Sequence, residues 1–167
     1  MQAEQTLNSM ELDKLRDKIK DIRIAMLTTL EEDGDLHTRP MATHEMDQDG
    51  TMWFFTYDNS HKVDEVNQDH RVSVAFSDPG SELYVATKGT AQVVKDRMKI
   101  NELWSDLLKT WFPNGKEDPH IALLKVTIHS GEYWDRPGGK MVKLFEMAKG
   151  AITGDADKSG RNEKFGS

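Results

Sequence analysis

Ser60, His61 and Lys62 follow one another in "WFFTYDNSHKVDEVNQ", where an apolar, strand-like run gives way to a helical one. A helix starting there offers an anion free backbone N–H groups and a partial positive end. A hydroxyl and an ammonium in its first turn add charge-assisted bonds. The same residues also suit an ordinary Ser N-cap with a solvated lysine, and the pattern alone leaves both readings open. A second group, Arg39-Pro40-Met41-Ala42-Thr43-His44, lies in an extended stretch. Alternation puts Arg39, Met41 and Thr43 on one face. Pro40 cannot donate to a sheet ladder, which marks an edge or irregular strand. Unpaired backbone groups beside such a break suit the polar rim of a planar ligand; an edge strand with a surface arginine is the alternative. Trp111 and Trp134 stand at element ends, in "TWFPNG" and "GEYWDRPGG", where large rings line pockets or interfaces as readily as they pack. Trp104, at helical spacing, reads as core.

Several chemistries are excluded. The chain has no cysteine, so disulfides, thiolate nucleophiles and cysteine-ligated metals are ruled out, and redox chemistry would need a bound cofactor. His37 and His44 have neither H-x-H nor H-E-x-x-H spacing, so no metal is expected. No G-x-S-x-G or G-x-G-x-x-G is present. A formal charge of −7 without a basic stripe argues against nucleic acid. No apolar run approaches the roughly 20 residues of a membrane span, and "MQAEQTLNSMELDK" lacks a signal pattern, so a cytoplasmic location is the expectation.

The elements that would position these groups follow from periodicity. Leu12, Leu15, Ile19 and Ile22 predict a helix over about 9–21 with Ser9 as N-cap. Strands are expected at 22–32, 36–46 and 51–57, separated by "DGD" and "DQDG", as a three-strand meander. A short helix at 60–69, a strand at 71–78 and a long strand at 82–96 with a bulge at Gly89 come next. Ile100, Leu103, Trp104, Leu107, Leu108 and Trp111 predict one helix ended by Pro113, followed by a strand at 121–134. Met141, Leu144, Phe145 and Ala148 predict a last helix stopped by Gly150. The fold class is therefore α+β: a six-stranded antiparallel barrel with peripheral helices, one domain over 1–152 and a polar tail, 153–167, expected to be disordered.

Three motifs occur in a fixed order: "TTLEEDGDLHTRPM", "WFFTYDNSHKVDEVNQDHRVSVAF" and "GEYWDRP". In this order they resemble the pyridoxamine 5′-phosphate oxidase-like FMN-binding split barrels. The stretch "INELWSDLLKTWFPNGKEDP" before "LLKVTIHSGEYWD" resembles their general stress protein branch. The likeness covers about residues 10–150. It implies a homodimer with FMN in clefts at the interface and a small-molecule redox partner. By position, it implies that Arg39, Pro40, Met41, Ala42 and Thr43 line the flavin ring and ribityl chain. Phe55 and Thr56 would meet the ring and the phosphate side, and Ser60, His61 and Lys62 would hold the phosphate. Trp134 would reach the flavin from the partner subunit, and Trp111 would stand nearby. No residue is marked as catalytic. The chain departs from the oxidases where they carry Ser-Arg-Lys, having Ser60-His61-Lys62, and where their flavin strand ends in Lys, having His44. It also lacks their C-terminal Arg-Leu-His-x-Arg, so vitamin oxidation itself is not the expected activity. A flavin-dependent oxidoreductase is the first expectation. A non-catalytic flavin carrier or sensor is the second, and the same cleft holding FAD, F420 or haem the third.

Overall fold

The structure is a computed structural model that describes residues 7–136 and 161–166. Asn8, rather than the expected Ser9, caps helix α1 (Ser9–Ile19): its Oδ1 accepts from the Glu11 N–H at 2.9 Å, and the Glu11 carboxylate accepts from the Asn8 N–H at 3.1 Å. Leu12, Leu15 and Ile19 bury the inner face of that helix.

The sheet is antiparallel throughout. β1 (Ile24–Leu30) makes a hairpin with β2 (Leu36–Ala42). β3 (Thr51–Tyr57) does not complete a meander with it, but pairs with β6 (Ile121–Asp135) at the other end of the sheet. The reason lies in the apolar run "TMWFFTY". Thr51 to Thr56 are all buried, so both faces of the strand need apolar cover, and the place beside β6 supplies it. Phe54 enters the main core with Leu27, Val74 and Leu124, while Trp53 and Phe55 join a second cluster with Ile100, Leu108 and Phe112. β4 (Arg71–Asp78) and β5 (Leu83–Val94) complete the order β2-β1-β4-β5-β6-β3. Among the described residues no ladder joins β2 to β3, so the sheet is an open barrel split between those strands.

Gly89 sits at the expected irregularity: the β5–β6 register shifts between Lys88 and Gly89. A Cβ there would lie 2.1 Å from the Thr127 carbonyl oxygen, so the close strand approach requires glycine.

Two further expectations change. The single helix expected through 100–111 is α3 (Arg97–Leu103), an extended Trp104, and a 3-10 turn over Asp106–Thr110. Ser105 restarts the chain by accepting from the Leu107 N–H at 3.4 Å, which lets Leu108 and Phe112 pack on β3 and β6. Within the expected tail, Arg161–Phe165 forms β7, a seventh strand paired with the end of β6. Phe165 is buried there, and Glu163 bonds Lys14 at 3.0 Å and the Tyr133 hydroxyl, which offsets the polarity of the segment. The helix expected around Met141–Ala148 lies outside the described residues. No helix among the described residues is long and apolar enough to cross a membrane.

Candidate functional site

The split between β2 and β3 opens into a cleft of about 420 Å³, within the usual range for small-ligand sites. One wall is Pro40, Met41 and Ala42 of β2, with Ile24 of β1 beside them. The facing wall is Phe55, Thr56 and Tyr57 of β3. Leu108, Trp111 and Phe112, from the segment after α3, cover one side. The aromatic wall is continuous: the Phe55 and Phe112 rings lie 6.0 Å apart and those of Tyr57 and Phe112 4.9 Å apart. Trp111 is 55% exposed, a large ring presented to the opening rather than packed into the core.

One end of the cleft is polar. Helix α2 (His61–Gln68) begins where β3 ends, with Ser60 in the N-cap position. Ser60 does not cap with its side chain; its Oγ lies 3.1 Å from Thr56 Oγ1. Lys62 Nζ donates to the same Thr56 hydroxyl at 3.2 Å. No carboxylate lies within salt-bridge distance of Lys62 among the described residues. Burial pushes the Lys62 ammonium below the usual lysine range, and the nearby Arg39 charge adds to this while Glu65 opposes it. An unpaired, partly desolvated ammonium beside two hydroxyls and a helix start has the chemistry that suits an anion.

The residues singled out in the sequence separate into two groups. Pro40, Met41, Ala42, Phe55, Thr56, Lys62 and Trp111 line this cleft together. Ser60 stands behind them through Thr56. Arg39 faces inward but is engaged elsewhere: Nη1 donates to Thr29 Oγ1 at 2.6 Å and Nη2 to Glu65 Oε2 at 2.8 Å. Thr43 donates its hydroxyl to the Ile22 carbonyl at 2.5 Å and lines an adjoining pocket of about 470 Å³ with His44. His61 is exposed and does not line the cleft. Trp134 lies near the far end of β6, opposite Tyr84 and Asn162, and is outside the cleft of its own chain.

Sequence reasoning missed Ile24, Tyr57, Leu108 and Phe112 as cleft residues, and Thr29 and Glu65 as partners of Arg39. The signal for Glu65 was its place three residues after Lys62 on the helix. His37 has Nδ1 3.1 Å from Glu65 and 3.5 Å from Glu31. Burial pushes Glu65 up, but hydrogen bonds from Thr29, His37 and Arg39, with the Arg39 charge, outweigh it and hold the carboxyl below its usual range. His44 packs its ring 5.3 Å from Phe55, and burial pushes its pKa down.

Comparison with known proteins places this architecture. A family model described as "Pyridoxamine 5′-phosphate oxidase like" matches residues 10–158. The chain belongs to the pyridoxamine 5′-phosphate oxidase-like family. Its fold resembles a structure described as a general stress protein 26 from Jannaschia sp. CCS1, at a TM-score of 0.77 and 30% identity, covering 91% of this chain and 95% of that one. It also resembles a general stress FMN/FAD binding protein from Xanthomonas citri, at a TM-score of 0.65 and 29% identity, covering 79% and 93%. Protein bli-3 of Neurospora crassa is 27% identical over 142 residues, covering 79% of this chain and 68% of that one.

Proposed function

We propose that the chain binds FMN in the cleft between β2 and β3 and acts as a flavin-dependent oxidoreductase of the general stress group. The observation that carries this reading is the polarity of the cleft. It has an apolar, aromatic body, and the unpaired Lys62 stands with Thr56 and Ser60 at one end. That arrangement matches a flat tricyclic ring joined to a phosphate. A structural relative described as FMN/FAD binding supports a flavin.

In this reading Phe55 and Trp111 flank the ring, and Pro40, Met41 and Ala42 supply the wall along its edge. Lys62, Thr56 and Ser60 hold the phosphate, with the α2 N-terminus behind them. His61, exposed in the first turn, borders the phosphate end from the solvent side. The flavin supplies the electron chemistry, while the protein excludes water and sets orientation. Trp111 at the cleft and Leu107 at the adjoining pocket, 55% and 75% exposed, give this side of the molecule apolar surface that suits the interface of a homodimer. In that dimer Trp134 would approach the partner's flavin.

A second reading, a flavin carrier or sensor without turnover, is favoured by one observation. The titratable side chains lining the cleft are Tyr57 and Lys62, with no carboxylate or imidazole among the described lining residues to move a proton. The test is to release the ligand of the native protein, identify it by mass spectrometry, and assay NADH, NADPH and reduced deazaflavin as donors. FMN with turnover supports the oxidoreductase, and FMN without turnover supports the carrier. FAD, F420 or haem would overturn the choice of cofactor.

A further inference from the structure

Beside the proposed phosphate site, side chains of β1 and β2 converge on one carboxylate of α2. Glu65 of α2 accepts from Arg39 Nη2 of β2 at 2.8 Å and from the Thr29 hydroxyl of β1. Thr29 in turn accepts from Arg39 Nη1 at 2.6 Å, and His37 Nδ1 lies 3.1 Å from the other Glu65 oxygen. The Arg39 and Glu65 side chains are only 14% and 12% exposed, so the pair is shielded from water. Lys62, three residues before Glu65 on the same helix, lines the cleft, whereas Arg39 does not. The helix thus presents one cation to the cleft and uses its next turn to engage the other.

We infer that Glu65 sets the phosphate specificity of this site by holding the Arg39 guanidinium out of the cleft, leaving Lys62 as the cation that a ligand's phosphate meets. This rests on the proposed flavin reading. A shielded guanidinium that loses its carboxylate is costly, because charge is left without compensation in a poorly solvated place. A phosphate dianion bound nearby restores that compensation. Removing the Glu65 charge therefore raises the free energy of the unliganded protein more than that of the phosphate-bound one, and phosphate binding tightens.

The experiment measures FMN and riboflavin dissociation constants for the full chain, Glu65→Gln, Arg39→Met and the double variant. Inorganic phosphate, read by thermal shift, serves as a flavin-independent probe. Glu65→Gln is expected to bind FMN roughly tenfold tighter with riboflavin unchanged, the scale of one added charge-assisted bond. The gain should vanish in the double variant, and phosphate should stabilise Glu65→Gln more than the unaltered chain. A parallel change for FMN and riboflavin, a selective weakening of FMN, or an equal phosphate response would each overturn the inference. Where Glu65→Gln does not fold by circular dichroism, Glu65→Asp, which retracts the carboxylate by one methylene, gives the same comparison with a smaller gain. Failure of the unaltered chain to bind either flavin contradicts the flavin reading. The phosphate arm still decides the role of Glu65.

Discussion

Lys62 Nζ donates to Thr56 Oγ1 at 3.2 Å, joining the first turn of α2 to the last turnward residues of β3. The same hydroxyl lies 3.1 Å from Ser60 Oγ, so one buried threonine ties together the groups assigned to the phosphate. The strand therefore delivers both the aromatic wall and the anchor of the polar end.

Replacing that lysine separates phosphate from ring. Lys62→Ala is expected to weaken FMN by about 1.5–3 kcal/mol, the range for a hydrogen bond to a charged group. Riboflavin, which has no phosphate, should be nearly unaffected. Titrations of flavin fluorescence with both ligands check this, and equal losses would place Lys62 away from the phosphate.

The pH dependence has a definite sign. Burial and the Arg39 charge hold the free Lys62 ammonium below the ordinary lysine range of about 10.4, whereas a bound phosphate would raise it. FMN affinity is then fully present below the free-state value. It is lost as pH rises through the free-state value towards the bound one, earlier than an exposed lysine would give. Riboflavin measured over the same range should stay level. An FMN curve parallel to that of riboflavin would contradict the assignment.

In the proposed site Trp111 flanks the ring, so its effect should not discriminate between ligands. Trp111→Ala is expected to weaken FMN and riboflavin alike by about 0.5–1.5 kcal/mol, the scale of an aromatic pair. Loss of flavin fluorescence quenching would accompany this. An effect confined to FMN would put the indole elsewhere.

Gly89→Ala tests the fold rather than the site. The added Cβ meets the Thr127 carbonyl oxygen at 2.1 Å, and backbone must shift to admit it. Destabilisation of about 1–3 kcal/mol is expected by denaturant unfolding, in the range of overpacked interiors. An unchanged midpoint would mean that β5 and β6 do not approach so closely.

Much of the fold was legible because period and turn chemistry are local. "DGD" turns β1 into β2, and alternation at Val72, Val74 and Phe76 marks the buried face of β4. What stayed hidden was non-local. Nothing near "TMWFFTY" shows that its partner is β6, although an apolar residue at almost every position already signalled burial on both faces. The segment 100–111 has helical spacing throughout, yet Ser105 competes for the backbone and packing against Phe55 decides the outcome. β7 was hidden because polar residues form a strand there by pairing with β6 and meeting Lys14 and Tyr133.

The site followed the same division. Residues contiguous in sequence, Pro40 to Ala42 and Phe55 to Thr56, do share one cleft. Arg39 was placed on the correct face by alternation, but its partner Glu65 comes from another element, and only the structure brings them to 2.8 Å.

FMN binding is read by adding FMN at micromolar concentration to the purified chain and recording absorbance and flavin fluorescence. The expected result is a yellow complex with a shifted flavin band, quenched fluorescence, and weaker binding of riboflavin by the phosphate contribution assigned to Lys62. A chain that leaves the spectrum of micromolar FMN unchanged would contradict it.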